Sequence, residues 1–180
     1  MKTPQLPTDP EGLVDALAES ATRFPAYQAL VELAEAALPA VRAGLGHGQW
    51  QVRKWSAIVL DQVADAESLA ALVPLLRDPR ADVRLWAVHS LACDHCKEDV
   101  ACPVDTVPHL IERIDLDPSI RVRRMATIML GTDHSDPRAV PVFERLLSED
   151  DRKLRLHARR GLERYAKIGV GCSAPIDPAT

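Results

Sequence analysis

Four short segments of the chain superimpose residue by residue, and this repetition constrains the fold more than any other feature. With Val52, Val83, Val122 and Leu154 aligned, the next residue is Arg in every copy: Arg53, Arg84, Arg123 and Arg155. Four positions on stand Ser56, Ala87, Ala126 and Ala158, and eight positions on stand Leu60, Leu91, Leu130 and Leu162. Positions 0, +4 and +8 share an arc of about 80° on a helix, so each copy predicts one buried large–small–large stripe. The small central residue lets a neighbouring helix come close. Leu45, Leu76 and Leu147 each end a preceding apolar run, and turn formers separate the two runs: Gly46-His47-Gly48, Asp78-Pro79, Asp117-Pro118 and Glu149-Asp150. Each unit therefore reads as helix, tight turn, helix, and the chain as all-α. The aligned arginines lie 31, 39 and 32 residues apart, so the third copy is delayed by an insertion.

An acid stands six residues before three of these arginines (Asp78, Asp117, Glu149), and a proline thirteen or fourteen before the aligned residue (Pro39, Pro108, Pro141). With these features the chain resembles the HEAT-repeat family, particularly the short bacterial HEAT-like units first named from phycobilisome lyases. The resemblance covers about residues 35–167. It implies a right-handed α-α superhelix, a HEAT-like solenoid of about four helix pairs plus an N-terminal capping helix. It also implies a structural ladder between stacked repeats built from Asp78, Arg84, Asp117, Arg123, Glu149 and Arg155. His47 stands where the first copy should have its acid. Fold similarity of this kind says little about activity.

Residues 1–10 read as a flexible tail, with Asp9 or Thr8 available to cap a helix before Pro10. Leu13, Val14, Leu17, Ala18 and Ala21 space as the amphipathic capping helix, stopped near Phe24-Pro25; Pro39 should kink or divide the run from Ala26 to Leu45. The single repeat domain, 11–168, is expected to hold units at about 26–64, 68–96, 105–133 and 137–168. A Cys-rich insertion occupies 93–104, and 169–180 reads as a loose tail.

At 180 residues the chain is long enough to bury a core, and 47% hydrophobic with 4% aromatic residues suits Ala/Leu-rich helical stacks. No apolar run approaches the length of a membrane span, and MKTPQLPTDPEG lacks the apolar segment of a signal peptide. The expected address is cytoplasmic, where four cysteines would stay reduced. A net charge of −4 argues against general affinity for nucleic acid.

The insertion carries the one local concentration of chemistry. His89 and Cys93 are i, i+4 on a helix, Cys96 completes C-x-x-C, and Cys102 follows after a short loop. Three thiolates and one imidazole make a closed tetrahedral zinc shell, so His89, Cys93, Cys96 and Cys102 are the candidate metal ligands. Iron, or an iron–sulfur cluster completed by Cys172, is the alternative cofactor; His95 is the alternative imidazole. Inert core thiols and a redox pair are the competing readings.

Three positions after each aligned residue come Trp55, Trp86, Met125 and His157, off the core arc. In the HEAT family this helix lines the concave side, which makes Trp55, Trp86 and Met125 candidate partner-binding residues. Packing between adjacent repeats is the competing reading. Residues 121–167 hold twelve Lys/Arg against seven Asp/Glu, crowded on the last helix; this is either a solvated capping helix or an anion-facing end.

No Gly-rich phosphate loop, H-E-x-x-H, G-x-S-x-G or evident carboxylate pair is present. The expected function is a protein-interaction or scaffold module with a structural zinc site. The alternatives are a metal- or thiol-dependent enzyme or redox protein using the same cluster, and a nucleic-acid-binding HEAT-like protein in which Trp55, Trp86 and Asp61 line a groove.

Overall fold

The computed structural model describes residues 5–93, 102–132 and 134–169. All regular structure among them is helical, and the chain divides into two compact units, Met1–Thr106 and Val107–Thr180.

Unit one begins with α1 (Pro10–Ala16), whose N-terminus is closed by Asp9: its carboxylate accepts the Gly12 N–H at 2.8 Å. Arginine 23 opens α2 (Arg23–Leu33) and places Pro25 in its first turn, where a missing N–H costs nothing. The chain therefore turns earlier than Phe24-Pro25 suggested. Helix α2 ends at Ala34, which takes φ 47°, a conformation costly for a residue with a Cβ. A 3-10 turn (Ala34–Ala37) then leads into α3 (Leu38–Gly44), with Pro39 in its first turn. The long run expected from Ala26 to Leu45 is divided here.

Helix α4 (Trp50–Val63) follows the Gly46-His47-Gly48 turn, and α5 (Ala66–Leu72) with its 3-10 extension (Val73–Arg77) leads to α6 (Ala81–Ala92). The second helices α4 and α6 pack on each other. Their stripes are buried as the repeat demands: Val52, Leu60, Val83 and Ala87 are inaccessible, Leu91 nearly so. Each such leucine contributes roughly 1.5–3 kcal/mol by leaving water. Between the helices, Ser90 Oγ donates to the Ala57 carbonyl at 2.8 Å, so a buried hydroxyl is satisfied and helps fix their register.

Unit two holds α7 (Thr106–Leu116), α8 (Ile120–Thr132), a 3-10 turn (Pro137–Ala139) running into α9 (Val140–Leu146), and α10 (Arg152–Lys167). Val122, Ala126 and Leu130 are buried in α8, as expected. The last helix departs from the pattern. Leu162 is only half-buried, and the inward stripe of α10 runs Leu154, Ala158, Gly161 and Tyr165. Leu147, at the matching upstream position, is exposed while Leu146 is buried.

Glycine explains that shift. A Cβ on Gly161 would stand 2.8 Å from the Phe143 ring, and one on Gly131 would stand 3.3 Å from Gly161 Cα. Gly131, one residue before the end of α8, allows close approach to α10. Tyr165 fills the neighbouring space, edge-on to Phe143 at 5.5 Å, and its hydroxyl donates to the Leu130 carbonyl at 2.7 Å.

Candidate functional site

The aligned arginines and acids do form cross-repeat pairs, in a specific register. Arg53 meets the Asp78 carboxylate at 2.6 and 3.1 Å, and Arg123 meets Glu149 at 2.7 Å. Asp78 and Glu149 therefore each serve the arginine of the preceding repeat. The arginine of its own repeat turns to backbone: Arg84 donates to the carbonyls of Asp78 (2.8 Å) and Pro79 (3.3 Å), Arg155 to those of Glu149 (2.6 Å) and Asp150 (2.8 Å). Arg53 likewise takes the carbonyls of its own turn, His47 (2.9 Å) and Gly48 (3.1 Å). Asp117 is buried and lies 3.6 Å from Arg113.

A second set of pairs was not visible as a repeat. Asp65 caps α5 through Ser68 N–H (2.7 Å) and receives Arg42 of α3 (3.1 Å). Asp151 caps α10 through Leu154 N–H (2.8 Å) and receives Arg124 of α8 (Nε at 3.0 Å). The Arg124 hydrogen bond, followed by the Leu154 N–H, holds the Asp151 carboxyl well below the usual carboxylate range.

The metal candidates are divided. Cys93 is the C-cap of α6, its N–H bonded to the His89 carbonyl at 2.9 Å, so the i, i+4 relation of His89 and Cys93 persists to the helix end. The residue that joins them is Asp61 of α4: donor atoms of Asp61, His89 and Cys93 all lie within 4.8 Å of one another. His89 Nδ1 is 3.0 Å from Asp61 Oδ1, and Gln62 Nε2 donates to Oδ2 at 3.3 Å. The Asp61 carboxylate is buried, as is Cys93. Cys102 is not in this group; its thiol faces the Val104 carbonyl at 3.6 Å. Cys96, His95 and Cys172 lie outside the described residues. No spacing in the sequence ties Asp61 to a cysteine 32 residues away, so the sequence does not mark it as a ligand. The one signal is its place, nine after Val52, beside the tenth position of the next copy, which is Cys93.

Trp55 and Trp86 of unit one are half-buried, as is Met125 of unit two. Tyr27 meets Trp55 edge-on at 5.6 Å, and Trp86 tilts against the His89 ring at 5.3 Å. Cations flank this surface: Lys54 lies 5.7 Å from the Trp55 ring, and Arg80 stands 4.7 Å from Trp50. Within unit two, Thr127, Ile128, Gly131, His157, Arg160 and Arg164 line a cavity of about 380 Å³ between α8 and α10. His157, Arg160 and Arg164 share one face of α10. Burial, then the nearby Arg160, Arg124 and Lys153, depresses the His157 pKa.

Stacked helix pairs joined by tight turns and tied by Arg–acid pairs define a helical repeat protein. The family model for HEAT repeats matches residues 10–92 and 107–170, and the chain belongs to the HEAT-repeat family. The gap between the matched blocks contains Cys93, Cys96 and Cys102. Among solved structures, an engineered protein is similar with a TM-score of 0.57 at 22% identity, over 88% of this chain and 79% of that one; the likeness concerns the fold. No curated protein matches the chain. No helix among the described residues is long and apolar enough to cross a membrane.

Proposed function

We propose that this chain is a HEAT-type interaction module that docks a protein partner on the second helices of its repeats, with a structural zinc ion at the cysteine-bearing end of α6. The observation that carries the docking reading is the half-exposure of Trp55 and Trp86 on α4 and α6, beside the fully buried stripes of the same helices. Aromatic residues at a partly covered surface, flanked by cations, are favoured anchors at protein interfaces. Met125 occupies the matching position on α8.

The cavity beside His157, Arg160 and Arg164 favours a second reading, in which the α10 end receives acidic groups. Among the described residues neither guanidinium is paired with a carboxylate, in contrast to Arg123 and Arg124 in the same unit. An acidic segment of a protein partner suits both surfaces.

The test is affinity capture with the whole chain as bait, quantified against a Trp55→Ala/Trp86→Ala double variant of unchanged helical content. A defined partner that binds the purified wild type and loses at least tenfold in affinity with the variant supports the reading. Equal affinity retires the Trp surface. An Arg160→Glu/Arg164→Glu variant checks the acidic-segment reading in the same assay.

A further inference from the structure

We propose that Asp61, His89 and Cys93 form an inter-repeat cation site, selective for a zinc-like ion, that clips α4 to α6. This deepens the structural-metal part of the proposed function and moves its centre from the cysteine insertion to the seam between two repeats.

The donors come from two helices already locked in register. Asp61 sits in the last turn of α4, His89 in the last turn of α6, and Cys93 at its C-cap. Ser90 Oγ on the Ala57 carbonyl ties the same two helices one turn away. Donors on packed helices hold their geometry better than donors on loops.

The distances suit a small tetrahedral ion. Zinc takes N and O ligands at about 2.0 Å and thiolate at about 2.3 Å, which sets neighbouring ligand atoms roughly 3.3–3.7 Å apart. The three donor atoms here already lie within 4.8 Å of each other, with His89 Nδ1 and Asp61 Oδ1 at 3.0 Å. Closing the trio around an ion asks the donors to approach by about an ångström at most.

Charge and softness point the same way. One carboxylate oxygen, one imidazole nitrogen and one sulfur form a mixed set that suits zinc and disfavours magnesium or calcium, which take oxygen. A divalent ion neutralises the Asp61 carboxylate and the Cys93 thiolate together, within a buried site where either charge alone is expensive.

The experiment titrates the purified full-length chain with Co²⁺, reading the thiolate-to-cobalt charge-transfer band, and with Zn²⁺ by competition. The expected result is one ion per chain, loss of the band in Cys93→Ser, and a zinc affinity at least about 100-fold weaker in both Asp61→Asn and Asp61→Ala. Cys102→Ser should bind as the wild type does. Tight binding by Asp61→Asn, with loss only in Asp61→Ala, would make Asp61 an orienting partner of His89 and overturn its assignment as a ligand. Loss in Cys102→Ser, with Asp61→Asn unchanged, would return the site to the insertion and overturn the inter-repeat clip. No binding by the wild type would remove the structural metal altogether and leave partner docking to its own assay. Circular dichroism of each variant separates ion loss from unfolding.

Discussion

The Arg53 guanidinium bonds the Asp78 carboxylate of the following repeat at 2.6 and 3.1 Å while covering the His47 and Gly48 carbonyls of its own turn at 2.9 and 3.1 Å. One side chain thus closes a turn inside one repeat and ties it to the next. A planar fork with five donors suits this double role, reaching carboxylate and carbonyl together, whereas an ammonium would serve one or the other.

This pair should be costly to break. Asp78 is almost fully covered and Arg53 largely so, and Asp78 also accepts the Arg80 N–H at 2.8 Å. Removing one partner of a covered pair leaves an uncompensated charge, so Asp78→Ala should destabilise the chain by roughly 3 kcal/mol in urea unfolding. Asp115→Ala, which releases the more exposed Arg145, should cost about 1 kcal/mol or less.

The Asp151–Arg124 pair predicts a direction in pH. The folded carboxyl titrates below its unfolded value, so the folded state binds fewer protons at mildly acidic pH. The stability it contributes is complete above the ordinary carboxylate range, about pH 4, and is lost as pH falls through the lower folded value. Asp151→Asn retains a capping oxygen but no charge. Its melting temperature should lie below that of the wild type at pH 7, and the gap should close as the pH drops below about 4.

The α8–α10 seam depends on glycine. Gly161→Ala drives a methyl to within 2.8 Å of the Phe143 ring, which is itself buried, so the ring has little room to move. Overpacking of this kind costs about 1–3 kcal/mol, measurable by thermal unfolding. Gly46→Ala, whose added carbon meets only the Ala43 carbonyl at 3.6 Å, should be nearly neutral.

Tyr165 gives a cleaner deletion. Its hydroxyl donates to the Leu130 carbonyl, also contacts the His134 carbonyl, and accepts the Asp136 N–H at 3.4 Å. Tyr165→Phe keeps the ring against Phe143 and removes those bonds, at a cost of about 1–2 kcal/mol. A loss below about 0.5 kcal/mol would show that the hydroxyl network adds little to holding the loop before α9.

Much of the fold is written in the sequence because a helical repeat restates itself. The stripe from Val52 to Leu60 could be checked against Val83 to Leu91, and both are buried. The last copy misled at Leu162 because Gly131 and Gly161 let α8 and α10 approach closely and Tyr165 takes the inward position. A residue-type pattern does not encode that approach. The candidate site was half legible. His89 and Cys93 announce themselves by helical spacing, but Asp61 belongs to another helix and no local motif reaches it.

The sequence by itself determined the paired-helix units, the arginine of each turn and the acid of the last three, and the concentration of thiols after the second pair, because all of these are local or repeated. Tertiary packing decided which acid meets which arginine, which leucine of the last pair turns inward, and that a carboxylate from α4 stands beside the imidazole and thiol of α6. Those relations arise only when one repeat stacks on another, since the groups concerned are far apart along the chain and adjacent solely across the helix seam.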